Sequence, residues 1–322
     1  MRDMNFWEHI KKPVMALAPM ANVTDAAFRK MIAKYGKPDV MWTEFVSCDG
    51  LCSKGMERLL PDLWYGEEER PIIAQIFGSK PEHVYKTAEL LKNLGFDGID
   101  INMGCPDRSV EKQGAGATLI KNQNKAGELI KAAKEGGGGL PVSVKTRIGY
   151  AKDITEEWIE SLLEHEPAVI TIHARTRKEM SDVPANWDAI RRAVNVRNEK
   201  KSKTLIIGNG DVVSLDEARE KAEQTKCDGV MIGKGIFGNP WLFGERSLKE
   251  VSVPERLRVM CEHASLFEEM FKNIKNFSMM KKHFKSYVNE FEGAKELRME
   301  LMETKQSGEV GEIVERFLST KR

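Results

Sequence analysis

A cysteine on a short loop is the first residue of this sequence whose surroundings point to chemistry. Cys105 follows an apolar run and stands between Gly104 and Pro106. A thiol presented on such a loop can act as a nucleophile or as a proton donor. Cys227 and Cys261 are expected to be small buried hydrophobic residues, as most free cysteines are. Cys105 is therefore the candidate catalytic residue.

Cationic side chains and a histidine form a second candidate group. Lys145 and Arg147 alternate along one apolar run, and His173 and Arg175 alternate along and just past the next. In a β-strand such pairs lie on one face, because successive side chains point to opposite faces. Around one cavity, these groups can hold an electron-rich ring and stabilise negative charge as that ring is reduced.

Glycine-bearing turns follow two further apolar runs. One run ends in Gly208-Asn209-Gly210-Asp211 and the other in Gly233-Lys234-Gly235. Glycine lets backbone N–H groups approach a ligand closely, and such turns before a helix are common phosphate sites. A cofactor with a phosphate tail fits this pattern, and tight turns into helices are the alternative.

These residues occupy equivalent places in a repeating pattern of eight short apolar runs, most of them followed by an amphipathic segment. The pattern predicts an α/β fold, a (β/α)8 TIM barrel with its site at the carboxyl ends of the strands. The runs are Val14–Ala18, Val40–Thr43, Ile72–Phe77, Gly98–Asn102, Val142–Lys145, Val169–His173, Leu205–Gly208 and Gly229–Ile232. The predicted helices include Pro81–Leu94, Asn124–Lys134, Thr155–Glu164, Asn186–Ala193 and Ser214–Gln224, and Asn195–Lys203 is expected to be a surface insertion.

After Trp241 the strand pattern stops, and the apolar clusters from Pro254 onward have helical spacing. We predict a barrel domain over residues 1–250 and an all-α helical bundle domain over residues 251–322.

The residues at the carboxyl ends of the predicted strands are the candidate site residues. In chain order they are Pro19-Met20, Glu44, Gln75, Asn102, Lys145, His173, Asn209-Gly210-Asp211 and Gly233-Lys234-Gly235. Each is polar or exposes its backbone.

The charge balance limits the kind of partner. The 322 residues contain 50 Lys and Arg against 49 Asp and Glu, a formal net charge of +1, so any site for a polyanion must be local. Between Phe271 and Asn289 there is no acidic residue, and lysines alternate with aromatic side chains. Such a stretch suits an RNA backbone and stacked bases, and a solvated helix face over a packed stripe is the alternative. Its lysines are Lys272, Lys275, Lys281, Lys282 and Lys285, and its aromatic residues are Phe277, His283, Phe284 and Tyr287.

Other classes of protein are not indicated. The five cysteines form no Cys-x-x-Cys pair, which argues against a disulfide framework and against a thiolate zinc site, and we expect no metal. No apolar run approaches the ~20 residues that span a bilayer. The amino terminus is polar and lacks a secretory signal pattern, so we expect a cytoplasmic protein with no membrane association. The sequence does not indicate an oligomeric state.

Eight short motifs, in order along the chain, resemble those of the tRNA-dihydrouridine synthases. They run from about Ala16 to Phe243, and the helical tail is similar to that family's second domain. The motifs are Leu17-Ala18-Pro19-Met20-Ala21 with Val23-Thr24-Asp25, Ala74-Gln75-Ile76-Phe77-Gly78-Ser79, Asn102-Met103-Gly104-Cys105-Pro106, Gly114-Ala115-Gly116-Ala117, Val144-Lys145-Thr146-Arg147, Ile172-His173-Ala174-Arg175-Thr176-Arg177, Asn209-Gly210-Asp211 and Gly238-Asn239-Pro240-Trp241.

The resemblance implies an FMN-dependent reductase that saturates the C5=C6 bond of a tRNA uridine, with NADPH, or NADH, as the electron donor. Hydride would pass from flavin N5 to uracil C6, and Cys105 would protonate C5 as the general acid. The implied cofactor contacts are Pro19, Met20 and Ala21 against the flavin ring, Gln75 and Lys145 at its polar edge, His173 beside it, and Asn209, Gly210, Asp211, Gly233 and Lys234 around the phosphate and ribityl chain. The implied substrate contacts are Asn102, Arg147 and Arg175 near the uracil or its flanking phosphates, and Lys281, Lys282 and Lys285 on the tRNA.

Two positions depart from the family pattern, which commonly has Gly at the place of Asn22 and Arg at the place of Lys234. Lysine keeps the positive charge but cannot make the two parallel hydrogen bonds of an arginine guanidinium. Weaker binding of FMN is therefore one possible consequence. One alternative is another FMN barrel reductase, such as a dihydroorotate dehydrogenase-like enzyme. That interpretation leaves the helical tail unexplained. A tRNA-binding relative without catalysis is the other alternative, and the set of Cys105, Lys145 and His173 argues against it.

Overall fold

A computed structural model describes residues 5–244 and 246–320 of the chain. Its strands are β1 (Val14–Leu17), β2 (Met41–Trp42), β3 (Val46–Ser47), β4 (Ile72–Phe77), β5 (Gly98–Met103), β6 (Val142–Arg147), β7 (Val169–His173), β8 (Leu205–Asn209) and β9 (Gly229–Ile232). All of the strand pairs are parallel, and β2 and β3 both pair with β4 as two parts of one barrel strand. A bridge between Ala16 and Val40 closes the ring next to the β1–β9 pair. The predicted (β/α)8 barrel is confirmed.

Helices connect the strands on the outside of the barrel. They are α1 (Ala26–Tyr35), α2 (Cys48–Leu51), α3 (Pro81–Asn93), α4 (Arg108–Glu111), α5 (Gln123–Gly137), α6 (Thr155–Leu163), α7 (Trp187–Glu199) and α8 (Leu215–Thr225). Helix α7 continues to Glu199, so the expectation that Asn195–Lys203 is a surface insertion is wrong for its first half. The stretch is polar because only one face of α7 is buried. The Ser214 hydroxyl caps α8 by accepting a hydrogen bond from the Glu217 N–H.

The barrel interior is divided into an apolar lower part and a polar upper part. At the amino-terminal ends of the strands Val14, Trp42, Ile73 and Ile207 form a dry cluster with Trp7. At the carboxyl ends polar side chains replace them. In β5 the alternation is plain: Ile99, Ile101 and Met103 pack in the core between sheet and helices, while Asp100 and Asn102 make polar contacts with side chains of the neighbouring strand β4. The apolar part fills the amino-terminal end of the barrel, and the polar side chains are concentrated at the carboxyl end.

Four helices follow the barrel, as the spacing beyond Trp241 predicts. They are α9 (Val253–Phe271), α10 (Lys281–Tyr287), α11 (Ala294–Leu301) and α12 (Ser307–Ser319). Their shared core contains Leu257, Phe267 and Phe284, and it extends to Ala27 and Met31 of α1. The C-terminal helices are therefore packed directly on the first helix of the barrel. No helix in the described ranges is both long and apolar enough to cross a membrane.

Candidate active site

Strand register brings the predicted site residues together at the carboxyl end of the barrel. Asn102 of β5 lies beside Lys145 of β6, and His173 of β7 lies beside Asn209 of β8. Paired residues on adjacent strands are only about 5 Å apart, so side chains 43 and 36 positions apart in the chain lie together. We call the space at this end of the barrel the barrel mouth; the buried Gln75 is hydrogen-bonded to Asn102 below it.

The loop that carries Cys105 is held from several sides. The Asn102 side-chain oxygen accepts the backbone N–H of Cys105 at 2.9 Å, and the Cys105 carbonyl accepts the N–H of Ala117 at 3.0 Å. Gly116 has a φ of +61°, and a Cβ there would come within 2.7 Å of that same carbonyl. Only glycine fits both the backbone conformation and the contact. The Gly114-Ala115-Gly116-Ala117 motif thus serves as the support of the Cys105 loop.

The thiol of Cys105 is half-buried, and its surroundings favour the protonated form. Burial raises its pKa above the ordinary value, and this effect outweighs the nearby charges of Lys145 and Arg147. A thiol that keeps its proton at neutral pH is suited to donating it, whereas a nucleophile needs the thiolate. Of the two roles open to Cys105 from the sequence, the structure favours the proton donor.

Lys145 and His173 supply hydrogen-bond donors to the mouth. The Lys145 ammonium makes one long hydrogen bond, 3.4 Å to Asn209 Oδ1, and burial lowers its pKa to about 8. Burial, with the neighbouring cations, lowers the pKa of His173 to about 2, so its ring is neutral. Arg175 Nη1 lies 3.2 Å from His173 Nε2. Because a guanidinium only donates, Nε2 must accept, and the ring proton is on Nδ1.

Arg147 ties the Cys105 loop to the loop that follows β7. Its Nε donates to the Gly104 carbonyl at 2.8 Å, and its Nη1 donates to the carbonyls of Thr176 and Met180 at 3.1 and 3.0 Å. The side chain is buried. The predicted contact of Arg147 with the substrate is untested, and its observed contacts position two loops at the rim of the mouth.

Arg175 is similarly engaged by protein groups. Its Nη2 donates to both carboxylate oxygens of Asp211, at 2.6 and 2.5 Å, and its Nε donates to the Val183 carbonyl. The Asp211 carboxylate also accepts the N–H of Ala185. Because the Asp211 carboxylate binds these donors, Asp211 would contact a phosphate through its backbone N–H. The pair fixes the loop between β7 and α7 against the loop after β8.

Two features of the mouth suit a flavin, namely open space beside a glycine and hydrogen-bond donors that are not fully used. A Cβ built on Gly233 would lie 3.6 Å from Ala18 and 3.8 Å from the Met20 sulfur, so the missing side chain leaves space along the segment predicted to face the flavin ring. Lys145, with a single long hydrogen bond, has donors to spare. Lys234 makes no ion pair with any described residue, and it lies next to that space. Spare donors on cations that form no direct ion pair suit an electron-rich ring edge and a phosphate.

The structure corrects the interpretation of the lysine-rich stretch. Lys275 is only 12% exposed, and its ammonium lies 3.0 Å from Glu44 Oε2 and 2.6 Å from Asp62 Oδ1. It therefore binds barrel carboxylates, not an RNA backbone. The expected base stacking is wrong for Phe284, Tyr287 and His283, which are buried in the helical core. For these aromatic residues the alternative interpretation, a packed stripe beneath a solvated helix face, is correct. For the partly buried Phe277 base stacking stays a prediction.

The three lysines expected to contact tRNA have a different environment. Lys281, Lys282 and Lys285 form no ion pair within the described part of the chain, and Lys285 is exposed. Lys282 is half-buried, and burial lowers its pKa while the charges of Asp25 and Glu44 oppose that effect. The start of α10 thus lies near Glu44, at the end of the second barrel strand. Contact of these lysines with RNA stays a prediction.

One departure from the family pattern has a structural reason. Asn22 has a φ of +59°, a backbone conformation that glycine adopts freely and that asparagine tolerates best among other residues. Its backbone N–H donates to the Glu44 carboxylate. Glu44 lies at a predicted strand end, and no role was predicted for it. Its partners, Asn22 and Lys275, could not be found from spacing because they belong to separate segments.

Asp100 was not among the predicted site residues, yet it is fully buried below Asn102 and accepts hydrogen bonds from Gln75 and Ser143. Its position two residues before Asn102 on the same strand face was the available signal. Within residues 5–244 and 246–320, no three His, Cys, Asp or Glu side chains are grouped so as to hold a metal ion.

The chain is similar to known proteins in sequence and in fold. The chain is 42% identical over 97% of its length to a probable tRNA-dihydrouridine synthase of Staphylococcus aureus, 95% of which is covered. It is 42% identical, over 97% of its length and 96% of the relative, to the probable tRNA-dihydrouridine synthase 2 of Bacillus subtilis. Among solved structures, histamine dehydrogenase from a Rhizobium species matches in fold with a TM-score of 0.54 at 12% identity, covering 78% of this chain and 48% of that one. Morphinone reductase matches with a TM-score of 0.50 at 13% identity, covering 74% and 87%. The dihydrouridine synthase family model matches residues 16–321, and the chain therefore belongs to the dihydrouridine synthase family of flavin-dependent oxidoreductases.

Proposed function

We propose that this protein reduces uridine to 5,6-dihydrouridine in tRNA, with FMN as its flavin and NADPH or NADH as the electron donor. The observation that carries the proposal is that the Cys105 loop, held by Asn102, lies at the same barrel end as Lys145 and His173. Burial raises the pKa of the Cys105 thiol, which favours its protonated form. A proton donor facing a site for an electron-rich ring is the arrangement that reduction of a pyrimidine double bond requires.

In this proposal the cofactor lies in the barrel mouth. Gln75 and Lys145 bind the polar edge of the flavin ring, and His173 flanks the ring with its Nδ1–H. The remaining contacts are Pro19, Met20 and Ala21 with the ring, and Asn209, Gly210, Asp211, Gly233 and Lys234 with the ribityl chain and phosphate. When bound, FMN supplies the hydride that uracil C6 accepts.

The chain's own residues then complete the reaction. Cys105 Sγ gives its proton to uracil C5 on the other side of the ring, and the resulting thiolate must be reprotonated from solvent before the next turnover. Asn102 holds the backbone of the Cys105 loop, and its contact with the uracil is part of the proposal. Arg147 and Arg175 shape the rim through the loops that they bind.

We further propose that residues 1–250 form the catalytic domain and residues 251–322 the tRNA-binding domain, in a cytoplasmic enzyme. The support is the position of α10, whose lysines lack ion pairs within the described residues and start close to the end of the second barrel strand. Lys281, Lys282 and Lys285 would contact phosphates of a tRNA whose target uridine enters the mouth.

The decisive experiment is mass-spectrometric mapping of dihydrouridine in unmodified tRNA after incubation with the protein, FMN and NADPH or NADH. We expect dihydrouridine at a defined position and none when the flavin is omitted. A protein that reduces free orotate or oxidises free dihydroorotate but leaves tRNA unchanged would be a different FMN reductase. One that binds tRNA without reducing it would be a non-catalytic relative.

A further inference from the structure

A buried carboxylate lies directly below the barrel mouth. Asp100 is in the middle of β5, has no exposed surface, and is in register with Gln75 of β4 on one side and Ser143 of β6 on the other. An ionised carboxylate is costly to bury unless its oxygens are hydrogen-bonded. Both oxygens are: Oδ1 accepts from the Ser143 hydroxyl at 2.5 Å, and Oδ2 accepts from Gln75 Nε2 at 2.7 Å.

The Gln75 contact is the first member of a chain of hydrogen bonds that ends at the catalytic loop. Gln75 Oε1 accepts from Asn102 Nδ2 at 3.0 Å. Asn102 Oδ1 in turn accepts the backbone N–H groups of Gly104 at 3.1 Å and of Cys105 at 2.9 Å. Three side chains on two strands therefore connect the carboxylate to the backbone of Cys105.

This chain has only one consistent direction. The backbone N–H groups of the loop can only donate, so Asn102 must turn its oxygen to them and its nitrogen to Gln75. Gln75 must then turn its oxygen to Asn102 and its nitrogen downward. The last group has to be an acceptor, and an ionised carboxylate is acceptor-only. An ionised Asp100 therefore holds both amides, from the buried end of the chain, in the orientation that the loop N–H groups require.

We propose that Asp100 is a positioning residue that, through Gln75 and Asn102, fixes the loop presenting the Cys105 thiol; this inference rests on the proposed function, in which that thiol is the proton donor. The same arrangement leaves Gln75 one N–H for a ligand in the mouth. Asp100 itself touches neither substrate nor cofactor in this scheme. Misplacing a reacting group by about 1 Å can cost on the order of a hundredfold in rate, so the loop's placement matters for proton transfer.

The test compares Asp100→Leu and Asp100→Asn with Ser143→Ala. Leucine removes the acceptor, asparagine can still offer its amide oxygen but no longer dictates a direction, and Ser143→Ala disturbs Asp100 without touching the chain to Cys105. With pre-reduced enzyme and saturating tRNA, we expect about tenfold slower uridine reduction for Asp100→Leu, a smaller loss for Asp100→Asn, and less than a twofold change for Ser143→Ala. The KM for tRNA should stay at wild-type values in all three, and the rate of flavin reduction by NADPH should fall less than the rate of uridine reduction in the two Asp100 variants.

A second readout does not depend on the flavin or on activity. In the protein without FMN, the rate of Cys105 alkylation by iodoacetamide, followed by peptide mass spectrometry to separate it from the exposed Cys52, should rise severalfold in Asp100→Leu and less in Asp100→Asn. If wild-type protein does not reduce tRNA uridine, the proposed function fails, while the alkylation rates still test the placement of the loop.

Wild-type rates of uridine reduction and of alkylation in Asp100→Leu would overturn the inference. If Asp100→Leu does not fold, an Asp100→Asn protein that matches the wild type in both measurements would overturn it as well. Equal losses in Asp100→Leu and Ser143→Ala, in flavin reduction as well as in uridine reduction, would also overturn it, because they would assign Asp100 a purely structural role.

Discussion

The barrel mouth and the core of the C-terminal helices both bury polar side chains, but they treat them in opposite ways. In the mouth, Gln75, Asp100 and Asn102 are joined by hydrogen bonds. In the helical core, His263 and His283 have no hydrogen-bond partner on either ring nitrogen within the described residues. Their rings instead pack against each other at a centroid distance of 4.8 Å, and against Phe28.

The difference follows from secondary structure. Adjacent parallel strands place polar side chains at fixed spacings, so each can find a partner on the next strand. Helices meet through interdigitated side chains without such a lattice, and here the two histidines act as flat apolar rings. In the proposed function, the buried polar side chains of the barrel position the reacting groups. The buried side chains of the helical core stabilise the fold. Substitutions should therefore change rate in the first region and stability in the second.

The largest effect is expected from Cys105→Ala. Loss of the proton donor should slow uridine reduction by about 10²- to 10⁴-fold, while bound FMN and its reduction by NADPH are unchanged. Single-turnover reaction of reduced enzyme with tRNA measures this. Cys52→Ala is the matched control, because that thiol is exposed and away from the mouth. A Cys105→Ala enzyme with wild-type turnover would remove the thiol from the mechanism.

Phe284→Ala tests the other side of the comparison. Phe284 is fully buried in the helical core, and its truncation should cost about 3–5 kcal/mol of unfolding free energy, since it leaves a cavity. Urea unfolding monitored by circular dichroism measures the loss. Met299→Ala, at a position 64% exposed on α11, should change stability by less than about 0.5 kcal/mol. If both substitutions were neutral, packing in the helical core would not be what stabilises this part of the chain.

The pH dependence of FMN binding should show the loss of the proton from the Lys145 ammonium. Its pKa in the free protein is about 8, so the ammonium is present below that pH and is lost as pH rises through it. The FMN association constant should be flat below about pH 8 and fall about tenfold per unit above it, as long as the bound form stays protonated. Flavin fluorescence titration measures the constant. Lys145→Met should bind weakly with no such break, and a break that persists in Lys145→Met would assign it to another group.

Acid stability should report the histidine pair. Burial lowers the pKa of His263 to about 3 and that of His283 well below its usual value, whereas unfolded histidine titrates near 6.5. Between these values the unfolded chain binds more protons, so stability should fall with falling pH by up to about 1.4 kcal/mol per unit for each ring.

In His263→Leu the free energy of unfolding, measured by urea titration, should fall less steeply with falling pH between about pH 4 and 6.5. Near neutral pH it should leave stability equal or slightly higher, because an unpaired buried polar group is replaced by an apolar one. His9→Leu, at an exposed position, is the control. An unchanged slope in His263→Leu would mean that this imidazole has a partner or is hydrated in solution.

The smallest effect is expected from the double substitution Lys281→Gln and Lys285→Gln. Binding of tRNA should weaken a few-fold, and the slope of log affinity against log salt should become shallower by about 0.7–0.9 for each phosphate that the lysines no longer neutralise. The rate at saturating tRNA should not change. Lys131→Gln, on the outside of α5, where Lys131 neighbours Glu135, is the control. An unaltered salt slope would place the RNA surface elsewhere.

Much of the barrel was predictable, because period-two alternation and strand ends are local signals. The eight strand positions and the convergence of Asn102, Lys145 and His173 follow from them. The helices beyond Trp241 followed in the same way from 3.6-residue spacing. Specific roles for the site residues came from family motifs and not from spacing.

The rest depended on contacts that no local pattern encodes. Lys275 looks like its neighbours in the sequence, yet it is buried against Glu44, which is 231 residues away. Which face of α10 carries its aromatic residues inward depends on packing against α9 and α1. The orientation of the amides of Gln75 and Asn102 depends on the whole hydrogen-bonded chain from Asp100.

The Lys275 ion pairs affect how this protein can be cut into fragments and how its sequence can change during evolution. A barrel expressed alone would keep Glu44 and Asp62 at its rim without the ammonium that neutralises them, next to the turn that carries Asn22. Such a fragment should fold poorly unless one of the acids is also removed, since an unpaired buried charge is strongly destabilising. Across related chains, the cation at position 275 and the two acids should accordingly be gained and lost together.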